Sequence, residues 1–137
     1  MLKVILDLPP VELSPNKRVH WAKKAKKIKE YRKHAMEMAM ASAFDTNMKE
    51  PFVTPVVQIS YFNARNVKPD ADNILAAMKS AFDGFTDAGI WKDDRFCFYF
   101  PVRRECDRTA PRVEITITEK LPKNYNEILE NIMRDQC

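Results

Sequence analysis

The stretch at residues 68–95, KPDADNILAAMKSAFDGFTDAGIWKDDR, constrains this chain more than any other, because it sets two pairs of aspartates on either side of a helical pattern. Asp70 and Asp72 stand one residue apart behind Pro69, and Asp93 and Asp94 follow the turn at Gly89-Ile90-Trp91. A proline at 69 disfavours helical backbone at Lys68 and keeps that residue extended. If the segment carrying Asp70 and Asp72 is extended as well, strand alternation throws both carboxylates to one side. Carboxylates that close repel each other unless a cation stands between them. Mg²⁺ takes oxygen ligands and keeps several waters, so a few aspartates suffice to hold it. An ion held this way activates water and stabilises charge on phosphorus during phosphodiester hydrolysis. One reading of the stretch is therefore a metal-dependent nuclease centre. The other makes Asp72 the N-cap of the next helix, and Asp93 and Asp94 an ordinary polar turn.

The rest of the chain narrows the chemistry by exclusion. Only Gly84 and Gly89 are glycines, so neither a P-loop nor a dinucleotide fingerprint can be built. His20 and His34, the two histidines, lie fourteen residues apart and supply little for a histidine metal site or a catalytic triad. Cys97, Cys106 and Cys137 include no C-x-x-C pair and read as reduced cytoplasmic thiols. No run has the length of a membrane span, and MLKVILDLPP is too short and too soon broken by proline for a signal peptide. At 137 residues with 45% apolar content, residues 1–137 read as a single domain with a modest core.

Charge is concentrated. Residues 16–34 hold nine lysines and arginines (Lys17, Arg18, Lys23, Lys24, Lys26, Lys27, Lys29, Arg32, Lys33) against Glu30, a local +8 in a chain of net +4. A basic segment on an otherwise mildly acidic chain is the footprint of a polyanion binder. A face so one-sided in sign repels itself without anionic partners, and nothing resembling a lipidation motif points to a membrane.

Periodicity gives the elements. Leu2, Val4, Leu6 and Leu8 alternate as a strand ended by Pro9-Pro10. A long helix is predicted over residues 19–44, with Trp21, Ala25, Ile28, Tyr31, Ala35 and Met38 as its buried stripe. Residues 56–62 form a second strand with Val57, Ile59 and Tyr61 on one face. A helix over residues 73–85 buries Ile74, Ala77, Met78, Ala81, Phe82 and Phe85. Residues 96–102 read as a strand that Pro101 confines to an edge or bends. Arg103, Arg104, Arg108 and Arg112 surround a loop that is either a DNA contact or a plain charged hairpin. Val113, Ile115 and Ile117 mark a last half-buried strand. After Pro122, the residues Tyr125, Ile128, Leu129, Ile132 and Met133 mark a short amphipathic helix. The order βαβαββα describes an α+β domain, a mixed sheet of about four strands flanked by helices.

PDADN, a helix carrying a lysine, and the run SAFDGFTDAGIWKDD together resemble the signature of the RusA family of Holliday-junction resolvases, the crossover junction endodeoxyribonucleases: D-x-D-N, a lysine, F-D, then G-[FI]-W-x-D-D. The segment LSPNKRVHWAKKAKKIKEYR is similar to the family's N-terminal S-x-N-x-R-x-x-W-like region. The resemblance covers residues 12–119 and leaves the terminal helix, residues 123–137, outside.

It implies a RusA-like mixed sheet and a homodimer that sets two active sites across branched DNA, a four-way junction. It also implies Mg²⁺ or Mn²⁺ held by Asp70, Asp72 and Asp94, with Asp93 as an alternative or supporting ligand and Asn73 orienting a carboxylate or the helix start. Lys79 joins the catalytic set, Lys17, Arg18, Lys23, Lys24, Lys26, Lys27 and Lys68 meet DNA, and Phe82 acts as a wedge at a junction centre. Cytoplasmic, nucleoid-associated work in DNA recombination and repair, with a phage or prophage origin, follows from the same resemblance. One departure stands out. The family lysine falls four residues after the second aspartate, which here is Ala76, and Lys79 comes three residues later. The rival readings are a non-catalytic DNA-binding module and a structural protein whose basic helix meets an acidic partner.

Overall fold

The computed structural model describes residues 1–120 and 124–135; Pro122 and Cys137 lie outside the described residues, as does the Tyr125 side chain. The sheet is mixed and five-stranded, with β1 (Leu2–Leu6), β2 (Val56–Asn63), β3 (Phe98–Tyr99), β4 (Arg103–Cys106) and β5 (Arg112–Thr118). β5 lies between β1 and β2 and runs antiparallel to both, while β3 and β4 pair in parallel with the other edge of β2. Register explains the core. Val4 faces Ile115 and Leu2 faces Ile117 across one ladder, and Ile59 faces Ile115 and Val57 faces Ile117 across the next. Cross-strand partners share a face, so the period-two apolar rows of three strands merge into one continuous buried layer.

Three helices cover that layer: α1 (Trp21–Asp45), α2 (Ala71–Ala77) and α3 (Lys79–Asp87). Ile74, Ala77, Met78, Ala81, Phe82 and Phe85 are all buried there, as their spacing predicts. A fourth helix, α4 (Tyr125–Asp135), buries Ile132 and carries Ile128 beside Val56 and Phe100, on the opposite face of the sheet.

Three expectations are corrected. The stripe of α1 is buried only at Tyr31, Ala35 and, one turn on, Ala39; Trp21 is 77% exposed, and Ala25, Ile28 and Met38 are also exposed. The first turns of the helix lie beside the 3₁₀ turn at Val11–Leu13, where Lys23 approaches Glu12 and Ile28 lines a cleft with Leu13, and that short turn leaves the stripe residues there exposed. Of the strand at 96–102 only Phe98–Tyr99 forms: Phe96 ends a 3₁₀ turn, Pro101 has no N–H for the ladder and interrupts it, and β4 follows at Arg103–Cys106, where the sequence predicts a loop. The helix at 73–85 is divided in two, with Met78 between α2 and α3 at φ −88°, ψ −4°. The order is therefore βαβααβββα.

α1 and α3 meet at Gly84. A Cβ built there would lie 2.3 Å from the Arg32 carbonyl oxygen and 3.0 Å from the Met36 amide nitrogen, both backbone atoms of α1. Only glycine allows the approach. One turn later Arg32 donates a bidentate pair of hydrogen bonds to Asp87, 2.6 Å from Nε and 2.8 Å from Nη2. Gly84→Ala should push the helices apart and destabilise the protein by about 1–3 kcal/mol, the usual cost of overpacking. Urea unfolding followed by circular dichroism should give a lower midpoint at unchanged slope.

Candidate active site and nucleic-acid face

Asp70 is the N-cap of α2 in extended conformation, and Asp72 lies in the first turn of the helix. The pair therefore does not share an extended segment, and the cap position belongs to Asp70 rather than Asp72. Neither carboxylate is used up locally: Asp70 makes no side-chain cap hydrogen bond, and both residues are exposed. The entry to α2 is anchored by Arg104, whose Nη1 donates to the Pro69 carbonyl oxygen at 3.1 Å. Arg104 is placed for this by the pairing of β4 with β2, where it faces Tyr61.

The break at Met78 makes Lys79 the first residue of α3. Its Nζ donates to Asp83 Oδ1 at 2.9 Å, one turn along the same helix, and to Asp94 Oδ2 at 2.5 Å. Asp94 reaches this point because of how α3 ends. The Gly89 amide donates to Thr86 O, and the Ile90 amide to Phe85 O. Gly89 adopts φ +75°, the left-handed conformation that glycine takes without steric cost. The chain reverses, Trp91 is buried, and its Nε1 donates to Thr86 Oγ1 at 2.8 Å. Two residues later Asp93 caps a single 3₁₀ turn, its carboxylate accepting from the Arg95 amide at 2.9 Å. That amide holds the Asp93 carboxyl below its ordinary range.

Asp83 was not among the residues that sequence reasoning selected. The lysine–aspartate spacing of four on a helix, and the F-D of the family pattern, were the signals that could have found it. The carboxylates of Asp94 and then Asp83 hold the Lys79 ammonium charged above its ordinary range.

The donor set suits a hard divalent ion in chemistry: aspartate oxygens only, with Asp83 and Asp94 already balancing one cation, the Lys79 ammonium. A closed cage is not preformed, because among the described residues no three of His, Cys, Asp and Glu come together.

The basic segment runs from the loop before α1 into the unburied first turns of that helix. Lys17, Arg18, Lys23 and Lys26 are exposed, Lys24 and Lys27 partly so, and Lys68 is exposed on the loop before Asp70. Internal pairing there is loose, with Lys23 3.9 Å from Glu12 and Lys27 3.7 Å from Glu30. The arginines beyond β3 are more occupied. Arg112 bonds Asp107 at 2.8 Å and Glu114 at 3.2 Å and lies over the Phe62 ring, and Arg103 bonds Glu105 at 2.6 Å. Phe82 is corrected as a DNA contact. It is 3% exposed, its ring against Phe85, Trp91 and Tyr99, so it belongs to the core and presents no wedge at the surface. Cys97 and Cys106 are free thiols, and burial pushes Cys97 up to about 12, which makes it inert at neutral pH.

A lysine with a raised pKa is bound as its ammonium at neutral pH, and the ion pairs weaken only as pH climbs through that raised value. In a ¹⁵N-detected titration, the Lys79 amine should therefore titrate above 10.5. Asp94→Asn should bring its midpoint down by more than Asp83→Asn does; equal midpoints in all three proteins would contradict the pairing.

The family model for "Endodeoxyribonuclease RusA" matches residues 8–118. An uncharacterized protein of Xylella fastidiosa (strain Temecula1) is 37% identical over 120 residues, which cover 86% of this chain and 76% of that one. The match spans both aspartate pairs, Lys79, Asp83 and the basic segment. The chain belongs to the RusA endodeoxyribonuclease family.

Proposed function

We propose that the chain is a metal-dependent, structure-selective endodeoxyribonuclease that resolves four-way DNA junctions by phosphodiester hydrolysis, in recombination and repair in the cytoplasm. The observation that carries this reading is the Lys79 ammonium shared between Asp83 and Asp94, on the α2–α3 unit that also presents Asp70 and Asp72 unsatisfied. Family membership supplies the reaction class. Asp70, Asp72 and Asp94 would hold Mg²⁺ or Mn²⁺, with Asp93 beside them. That ion supplies an activated water and positive charge for the phosphate.

The chain's own residues do the rest. Lys79 cannot act as a general base while two carboxylates keep it protonated, so its part is electrostatic: it offers positive charge to the phosphate. It also occupies a metal ligand, so ion binding and the Lys79–Asp94 pair are coupled. The lysines of residues 17–27 contact flanking phosphates without reading sequence. A four-way junction offers two equivalent strands, so a homodimer would place one such site on each.

The second reading, a non-catalytic DNA-binding module, is favoured by the same pair and by the cap at Asp93, since both give the aspartates structural work. Labelled four-way junction incubated with Mg²⁺ separates the two. Asp70→Asn, Asp72→Asn and Asp94→Asn should each abolish cleavage with junction affinity kept or raised, because each removes ligand charge and none removes a phosphate contact. Full activity in any two would remove the metal-site assignment.

Affinity should also fall steeply with salt, with a slope of log affinity against log concentration near −0.9 per phosphate contact. Neutralising Lys23, Lys24, Lys26 and Lys27 together should flatten that slope; an unchanged one would mean the helix faces something other than DNA.

A further inference from the structure

A cleft of about 260 Å³ lies between the loop that leads into α1 and the start of α2. Lys17, Tyr61 and Asn73 line it, with Ser14, Pro10 and Pro69. Three features set it apart. It borders the aspartate pair on both sides in sequence, since Pro69 precedes Asp70 and Asn73 follows Asp72. No carboxylate lines it, whereas the neighbouring cleft across Ala77 contains Asp83. Finally, the Lys17 ammonium, the Tyr61 hydroxyl and the Asn73 amide form no hydrogen bond or ion pair among the described residues, although Tyr61 and Asn73 are half-buried.

Half-buried donors without partners cost free energy unless water or a ligand satisfies them. One cation, one hydroxyl and one amide together make a donor set for an anionic oxygen. Desolvation raises the Tyr61 pKa, so the phenol keeps its proton and remains a donor.

We propose that this cleft is a phosphodiester subsite, in which Lys17, Tyr61 and Asn73 seat a phosphate of the DNA strand next to the one cleaved. The proposal rests on the nuclease reading above and deepens it. Seating a neighbouring phosphate fixes the register of the strand against Asp70 and Asp72, so that binding energy from an unreacting group orients the reacting one. Lys17 supplies charge from the N-terminal loop, and Tyr61 and Asn73 supply direction from β2 and α2. Nucleotide sequence plays no part, because only backbone oxygens are contacted.

The test is junction affinity measured by fluorescence anisotropy without divalent ions, so that metal loading does not enter. Lys17→Ala and Tyr61→Phe should each weaken binding about 3- to 10-fold, the range of a lost hydrogen bond. Lys17→Ala should flatten the salt slope by about one contact, and Tyr61→Phe should leave it unchanged. The thermal midpoint of Tyr61→Phe should not fall, because its hydroxyl has no partner in the protein to lose. A second arm uses wild-type protein and junctions with a single neutral methylphosphonate at successive positions. One position beside the cleavage point should weaken wild-type binding and have no further effect in the Lys17→Ala, Tyr61→Phe double variant.

Variants that bind as tightly as wild type would overturn the subsite, as would a methylphosphonate effect that persists at every position in the double variant. If wild type binds and cleaves junctions under those outcomes, only the subsite is lost. A wild type that binds no junction would remove the nuclease reading and the subsite together.

Discussion

The contact on which the rest of this structure depends is the crossing of α1 over α3 at Gly84. Side-chain-free backbone there lets the two helices approach closer than any other residue would permit, and the bidentate Arg32–Asp87 pair fastens the crossing one turn away. Two otherwise independent surfaces are thereby held in one frame. α3 carries Lys79 and Asp83 at its start, and α1 carries the basic segment in the turns before Arg32. Without the crossing, the basic segment and the carboxylates around Lys79 would have no fixed relation. Energetically the join is economical, because Ala35 and Ala39 of α1 are fully buried and need little space.

Two carboxylates fix the place of Lys79 beyond what its own helix does. An ideal helix through residues 73–85 would carry Lys79 nearly two turns from Asp72 and leave its position to helical geometry alone. Asp83 reaches Lys79 one turn along α3, and Asp94 reaches it across the turn at Gly89. Ala76 is exposed and borders the same cleft as Lys79.

Local chemistry was legible in the sequence wherever one rule decided the outcome. Alternation alone located β1, β2 and β5, and a three-and-four spacing picked out six buried residues, five in α2 and α3 and Met78 between them. Where two rules competed, the sequence was less informative. The pattern at Trp21, Ala25 and Ile28 is a valid amphipathic stripe, but burial needs a broad surface opposite, and these turns have only the short 3₁₀ turn at Val11–Leu13 beside them. Pro101 announces an edge without saying whether the strand bends or divides. Asp83 was passed over because an aspartate in mid-helix looks like solvated surface; its role exists only once the Gly89 turn brings Asp94 back to Lys79.

The exposed half of α1 is costly by local criteria, and that cost has a direction. A helix is stabilised by acidic residues in its first turn and basic ones in its last. α1 has no acidic residue in its first turn, Lys23 and Lys24 close to its start, and no basic residue in its last turn. Its opening turns bury no apolar stripe, and like charges at Lys23 and Lys27 stand four residues apart, a repulsive spacing. Inside the chain these terms are offset by the His20 cap, which accepts from the Ala22 amide at 3.3 Å, and by the loose pairs Lys23–Glu12 and Lys27–Glu30. An anion laid along the segment reverses the sign of each electrostatic term at once: it satisfies the helix dipole, screens the lysine repulsion and covers the exposed apolar side chains. A helix end that is unfavourable alone and favourable against phosphate is the arrangement that the proposed function requires of this segment.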